Sequence, residues 1–100
     1  AISGSGPGYV FLFAECLAKA GIRLGLDPSS AERQARQTII GAAKLLENSS
    51  LQPAQLRQQV TSPGGTTEAA LSELCTAPSL LDLIERATTA AAARSLALGR

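Results

Sequence analysis

The sequence contains no histidine, methionine or tryptophan, and it has only three aromatic residues and two cysteines. Without histidine, the chain cannot carry out Ser-His or Cys-His nucleophilic catalysis, and any metal site with a histidine ligand is excluded. Cys16 and Cys75 are far apart in the sequence and lie among apolar neighbours in helical patterns. We therefore expect both cysteines to be reduced core residues, and we expect no metal site.

Charge and hydropathy argue against two classes of partner. Lysine and arginine total 9 residues against 8 aspartate and glutamate residues, so the chain lacks the basic surface that nucleic acid or anionic lipid requires. The sequence has neither a charged leader before an apolar run nor an apolar stretch long enough to span a bilayer. We expect a soluble, cytoplasmic protein with no nucleic-acid or membrane partner.

The length and periodicity of the sequence predict a single helical domain over residues 1–100. A chain of 100 residues that begins at Ala1 is expected to be one domain of a longer protein. No segment alternates polar and apolar residues with period two, so we expect no strands. The predicted fold is an all-α bundle of about five helices, near residues 7–20, 28–47, 53–60, 67–74 and 80–98.

The first predicted helix is the most apolar segment of the chain. Residues 2–8 are rich in glycine and predict a flexible lead that ends with Ser5 as the N-cap, and Gly21 is predicted to end the helix. Only two charged residues occur between Tyr9 and Ala20, so this helix should be buried on most sides. Its aromatic side chains are expected in the core: Tyr9, Phe11 and Phe13.

Capping signals open two later helices. Asp27 followed by Pro28 begins the second helix, with Ser29 and Glu32 as a competing capping box, and Ser79 begins the last. Each of these helices carries an apolar stripe that we expect to be buried. The stripe of the second helix comprises Ala31, Ala35, Thr38, Ile39, Ala42, Ala43 and Leu46, and that of the last comprises Leu80, Leu83, Ile84, Ala87 and Ala91.

The segment most typical of a binding site runs from Gln59 to Leu71, where a loop leads into a new helix. Pro63 fixes φ, while Gly64 and Gly65 can adopt backbone conformations closed to other residues, so the chain must turn sharply. The first N–H groups of the helix lack internal partners and carry the positive end of the helix dipole. This turn can therefore hold a carboxylate or a phosphate.

Hydroxyl side chains flank this turn and admit two interpretations. Ser62, Thr66 and Thr67 could donate hydrogen bonds to a bound anion. Alternatively, Thr66 or Thr67 only N-caps the helix, with Glu68 in its first turn, and ordinary capping statistics favour that interpretation for an arbitrary P-G-G-T-T sequence.

Five sequence blocks in a fixed order resemble pyrroline-5-carboxylate reductase. They are S-G-S-G-P-x-Y, A-G-I-R-L-G-L with Asp-Pro, Q-T-I-I-G-A-A-K-L-L, P-A-Q-L-R and V-T-S-P-G-G-T-T. The resemblance covers about Ile2 to Leu71, and its last block is highly specific to the family. It implies the carboxyl-terminal helical domain, which in the family forms an interleaved homodimer and builds the substrate site. Association of dimers into larger oligomers stays open.

The same resemblance implies the last step of proline biosynthesis, in which hydride from NADPH or NADH reduces the cyclic imine 1-pyrroline-5-carboxylate to L-proline. It assigns the cofactor to an amino-terminal dinucleotide-binding domain that is missing from this chain. In agreement, the chain has no G-x-G-x-x-G fingerprint, because Gly4-Ser5-Gly6 is followed by Tyr9 where the last glycine should stand. We therefore expect the isolated chain to be inactive.

The resemblance also assigns roles in the turn. It implies that Ser62 and the amides of Gly64, Gly65, Thr66 and Thr67 bind the substrate carboxylate. The Thr67 hydroxyl would face the ring nitrogen as the catalytic group, since a hydroxyl can donate or accept. The departures from the family pattern lie outside residues 62–67, and they are Gly8, Gln52, Glu68 and the shortened link from Cys75 to Ser79.

Two other classes of protein stay open. A standalone helical dimerisation module would use the turn to bind an anion or a partner, without catalysis. A related reductase with a similar helical domain would act on another substrate. An upstream G-x-G-x-x-G in a βαβ unit of the parent gene would favour the reductase.

Overall fold

The computed structural model describes residues 2–99, which form five α-helices and no strand. The helices are α1 (Ile2–Arg23), α2 (Pro28–Asn48), α3 (Pro53–Gln59), α4 (Thr66–Leu74) and α5 (Leu80–Ala97). The all-α prediction is confirmed. Residues 5–51 make one compact unit, and residues 2–4 with residues 52–99 make another. Among these five helices, none combines the length and apolar character needed to cross a bilayer.

Helix α1 begins at Ile2, so the predicted flexible lead over residues 2–8 is wrong. Ser5 lies inside the helix rather than at its N-cap, and its hydroxyl forms a hydrogen bond with the Tyr9 hydroxyl one turn later. Glycine disfavours helix by only about 1 kcal/mol per residue relative to alanine. Extension of the helix from the apolar segment adds a backbone hydrogen bond for most of the residues fixed, which can offset that cost, although Pro7 lies inside the helix and has no N–H to donate.

Helix α1 also ends later than predicted, because Gly21 lies inside it and Gly25 takes the left-handed conformation after it, with φ of +106°. The N–H of Gly25 donates to the carbonyl of Ile22 at 2.9 Å, and the N–H of Leu26 donates to the carbonyl of Gly21 at 3.0 Å. This pair of bonds is a Schellman motif. A Cβ on Gly21 would lie 3.2 Å from Leu26 Cδ1 and 3.5 Å from Ala31 Cβ, so glycine here permits close packing against the start of α2.

The predicted start of helix α2 is confirmed. The side chain of Asp27 accepts the N–H of Ser30 at 2.9 Å, and Pro28 occupies the first turn, so the competing start after Ser29 is not used. Hydrogen bonding by Ser30, first through its side chain and then through its backbone, lowers the pKa of Asp27, and the positive charge of Arg33 adds to the effect.

The predicted start of α5 is also confirmed, by a reciprocal capping box. The N–H of Asp82 donates to Ser79 Oγ at 3.1 Å, and the N–H of Ser79 donates to Asp82 Oδ2 at 2.8 Å. The link before it, from Cys75 to Ser79, contains a cis peptide bond between Ala77 and Pro78. These contacts fix where α5 begins after α4.

The burial of apolar side chains differs from the core predicted from the sequence more than any other feature of the fold does. Within residues 2–99 only Ala31 and Ala35 are buried, and no large side chain is. Phe11 is 69% exposed, Phe13 is 43% exposed and Tyr9 is half-buried, so the aromatic residues do not form a core within this chain. The hydrophobic pattern identifies which face of a helix is apolar, but it does not say which molecule covers that face.

The same correction applies to the two predicted stripes and to both cysteines. Apart from Ala31 and Ala35, every member of the two stripes is exposed or half-buried. Cys16 and Cys75 are free cysteines, as predicted, but both are exposed rather than in a core. Exposed apolar side chains as numerous as these, on each of the two units, are typical of surfaces that another chain covers.

Candidate functional site

A tight turn precedes helix α4. The N–H of Gly65 donates to the carbonyl oxygen of Ser62 at 2.9 Å, with Pro63 and Gly64 between them. Gly64 has φ of +72°, the left-handed conformation that the third residue of a type II turn requires. The sharp turn predicted from Pro63 and the two glycines is confirmed.

Gly65 is the N-cap of α4, with extended backbone angles of φ −89° and ψ −175°. Thr66 and Thr67 are therefore the first two residues of the helix, and the interpretation that one of them N-caps α4 is wrong. A Cβ on Gly65 would lie 3.1 Å from the carbonyl oxygen of Ser62, so the turn closes tightly because this residue is glycine. Both threonine hydroxyls are consequently not used for capping.

Backbone amides at the start of α4 fall into two groups. The first hydrogen bond of the helix runs from the N–H of Ala69 to the carbonyl of Gly65 at 3.2 Å. The N–H groups of Thr66 and Thr67 precede that bond, so they are open to an external acceptor. The N–H groups of Gly64 and Gly65 already have acceptors within the chain. Of the four amides that the resemblance assigns to the substrate carboxylate, those of Thr66 and Thr67 are thus the two without an acceptor among the described residues.

The acceptor at Gly64 is a side chain that the sequence reasoning did not assign to it. Glu68 Oε1 accepts the N–H of Gly64 at 3.2 Å. Glutamate three residues after an N-cap is typical of a capping box, in which it bonds the N-cap amide. Here the amide of Gly65 is already bonded to Ser62, and the carboxylate bonds the preceding residue instead. The capping-box spacing was the signal that could have revealed this contact.

Three hydroxyls lie beside these amides. Thr67 is half-buried, whereas Ser62 and Thr66 are exposed. Within residues 2–99 none of the three hydroxyls has a hydrogen-bond partner, while the neighbouring Thr61 hydroxyl donates to the carbonyl of Arg57 at 2.6 Å. Neutral hydroxyls and open amides at the positive end of a helix can bind a carboxylate and can donate to, or accept from, a nitrogen next to it.

The described residues contain neither a grouped set of metal ligands nor a dinucleotide-binding turn in the glycine-rich segment of α1. In the described part of the chain, no three His, Cys, Asp or Glu side chains are grouped as a metal site would need. Gly4-Ser5-Gly6 lies within helix α1, not in a loop between a strand and a helix. A dinucleotide-binding turn needs that strand–loop–helix arrangement, so this segment does not fit a nicotinamide cofactor.

Comparison with known proteins agrees with the resemblance in the five sequence blocks. The family model described as pyrroline-5-carboxylate reductase dimerisation matches residues 1–98. Pyrroline-5-carboxylate reductase of Pseudomonas aeruginosa is 46% identical over 98 residues, which are 98% of this chain and 36% of that protein.

Two solved structures have the same fold. A pyrroline-5-carboxylate reductase from Coxiella burnetii matches with a TM-score of 0.91 at 45% identity, over 97% of this chain and 36% of that one. The Plasmodium falciparum pyrroline carboxylate reductase, solved with NADP bound, matches with a TM-score of 0.90 at 35% identity, over 99% of this chain and 37% of that one. The chain spans about a third of the length of these relatives. With a family match over nearly all of its residues, this chain belongs to the pyrroline-5-carboxylate reductase dimerisation family.

Proposed function

We propose that this chain is the dimer-forming and substrate-binding part of a cytoplasmic pyrroline-5-carboxylate reductase, which reduces 1-pyrroline-5-carboxylate to L-proline with NADPH or NADH. One observation carries the proposal. The V-T-S-P-G-G-T-T segment, in a chain of this family, forms a closed turn that leaves amides and hydroxyls open at the start of α4.

The substrate carboxylate is assigned to the turn. The amides of Thr66 and Thr67 donate to its oxygens, and the Ser62 hydroxyl adds a further donor. Gly64 and Gly65 contribute through the backbone shape that they permit. A hydrogen bond to a charged acceptor contributes about 1.5–3 kcal/mol, and the helix N-terminus favours an anion by about 0.3–1 kcal/mol. These terms are large enough to orient a small monocarboxylate.

The ring nitrogen is assigned to Thr67. Its hydroxyl has no partner within residues 2–99 and is half-buried, so it can accept from a protonated imine or donate to a neutral nitrogen. A nicotinamide nucleotide, when bound, supplies the hydride to the ring carbon next to that nitrogen. The role of this chain is to hold the carboxylate and the nitrogen so that the ring has one orientation.

The cofactor is assigned to a part of the full-length protein outside this chain. The glycine-rich segment of this chain is helical and does not fit a dinucleotide. The chain spans about a third of the relatives' length, and the Plasmodium falciparum relative was solved with NADP bound. An amino-terminal dinucleotide-binding domain in the full-length protein accounts for both facts.

Homodimer formation, with interleaved helices, is the second part of the proposal. Within residues 2–99 every large apolar side chain is exposed or half-buried, so each of the two compact units presents apolar surface that a second copy can cover. Obligate homodimer interfaces are more apolar than other protein surfaces. The exposed apolar residues that a second copy would cover include Phe11, Leu12, Ile40, Leu46, Leu81 and Leu83.

The proposal is tested on the full-length protein that contains this chain. We expect oxidation of NADPH or NADH that depends on added 1-pyrroline-5-carboxylate, with L-proline as the product. Ser62→Ala should raise KM more than it lowers kcat, because it removes a contact to the carboxylate. No turnover with this imine would refute the assignment of substrate, and turnover with another cyclic imine alone would favour a related reductase.

A further inference from the structure

A carboxylate of the chain itself lies at the turn that is proposed to bind the substrate carboxylate. Glu68 Oε1 accepts the N–H of Gly64 at 3.2 Å. Glu68 is exposed and, within residues 2–99, it has no ion-pair partner, since the ion pair found there joins Arg36 and Glu32. Its negative charge is therefore not neutralised next to the open amides of Thr66 and Thr67.

The geometry points to Glu68 as a residue that determines which anions the turn accepts. This inference rests on the proposed function, because it concerns the same turn. A fixed negative charge beside the amides offsets part of the attraction that the helix N-terminus exerts on any anion. The offset grows in proportion to the charge of the ligand, so it penalises dianions more than monoanions. Glu68 makes the turn selective for ligands with one carboxylate.

Charge can be separated from hydrogen bonding at this position. Glutamine has the shape of glutamate and keeps an oxygen that can accept the N–H of Gly64, so Glu68→Gln removes the charge and preserves the contact. Glu73→Gln is the matched control, because Glu73 lies exposed near the other end of α4. Both variants change the net charge of the chain equally.

The test measures competitive inhibition of the full-length enzyme against its imine substrate. The probes are cyclopentanecarboxylate, a monoanion, and cis-cyclopentane-1,2-dicarboxylate, which is a dianion at about pH 8. Glu68→Gln should lower the inhibition constant of the monoanion about threefold and that of the dianion up to about tenfold, as expected for one charge a few ångströms away. Raising the salt concentration should shrink both changes, since exposed charges are screened. Glu73→Gln should change neither constant.

Two results contradict the inference, and they can be told apart from failure of the proposed function. If Glu68→Gln changes both inhibition constants by the same factor, or leaves both unchanged, Glu68 does not select by charge. If the changes persist unaltered in high salt, they come from a structural effect rather than from the charge. If cyclopentanecarboxylate does not compete with the imine in the unaltered enzyme, the carboxylate site itself is wrongly assigned, and both proposals fall.

Discussion

The carbonyl oxygen of Ser62 accepts the N–H of Gly65 at 2.9 Å, and this one bond closes the turn ahead of α4. It places Gly65, not a threonine, at the N-cap. Capping therefore does not occupy the hydroxyls of Thr66 and Thr67. The helix is thus capped without either threonine side chain, and this excludes the interpretation that Thr66 or Thr67 is its N-cap.

Gly64→Ala should weaken both the turn and substrate binding. Alanine at φ of +72° costs about 1–2 kcal/mol, and nothing within 4 Å of a Cβ there adds a clash. We expect a matching loss of unfolding free energy and a raised KM. Gly99→Ala is the control, since Gly99 has φ of +74° after α5. Equal effects of both variants on KM would contradict a specific role for the turn.

Phe11→Ser tests whether a second copy covers the apolar face of α1. Serine and phenylalanine have similar helix propensities, so the substitution mainly reports burial. If Phe11 stays 69% exposed, the unfolding free energy should change by no more than about 0.5 kcal/mol. If a second copy covers it, the loss should be about 3 kcal/mol or more, with dissociation of the dimer.

Light scattering and denaturant unfolding measure these two outcomes. Phe11→Leu is the control, because it keeps an apolar side chain and should preserve the dimer. The unaltered protein should be a dimer at roughly tens of micromolar, well above the dissociation constants expected of large obligate interfaces. A monomer at that concentration would refute the dimer. So would a Phe11→Ser variant that keeps both the unfolding free energy and the molecular mass of the unaltered protein.

Asp27→Asn should change the dependence of stability on pH. The hydrogen bonds of Ser30 lower the pKa of Asp27 in the folded state, so its charge stabilises the protein above the ordinary carboxyl value of 3.8. This contribution is lost as pH falls through the lowered folded pKa. Asparagine caps a helix about as well as aspartate. The unaltered protein should therefore melt above the variant at neutral pH, and the gap should close in acid. A difference in melting temperature that stays constant with pH would contradict the lowered pKa of Asp27 in the folded state.

The isolated chain, residues 1–100, should neither bind NADPH nor reduce 1-pyrroline-5-carboxylate. Its glycine-rich segment is helical, so it offers no turn for the pyrophosphate. Titration of NADPH with the purified chain, followed by fluorescence or calorimetry, checks the first expectation. Turnover by that chain, free of contaminating enzyme, would overturn the assignment of the cofactor to another part of the protein.

Local sequence signals predicted the helices well. Asp27 with Pro28 predicted one helix start and Ser79 predicted another, because a cap depends on residues within one turn. The predicted start of α1 was wrong, because that prediction relied on residue propensity rather than on a capping contact. Glycine content predicted a loop over residues 2–8, but propensity is a weak constraint next to a long apolar helix.

Burial and the details of the turn could not be predicted in the same way. The spacing of Phe11 and Phe13 predicted an apolar helix face, but spacing does not determine which surface packs against that face, and both side chains are exposed in this chain. The P-G-G sequence predicted a sharp turn. It did not predict that Gly65 would be the N-cap or that Glu68 would bond to Gly64, because both depend on how the turn closes.

Thr67→Ala in the full-length enzyme tests the central claim most directly, with kcat and thermal stability measured on the same sample. If the hydroxyl stabilises the ring nitrogen as hydride arrives, kcat should fall roughly ten- to a thousandfold, the range for losing one positioned donor or proton-transfer group. Thr67→Ser should lose far less, and Thr66→Ala should be milder because alanine keeps the amide. An unchanged kcat, whether or not the melting temperature falls, would contradict the account, since the Thr67 hydroxyl would then have no part in the reaction.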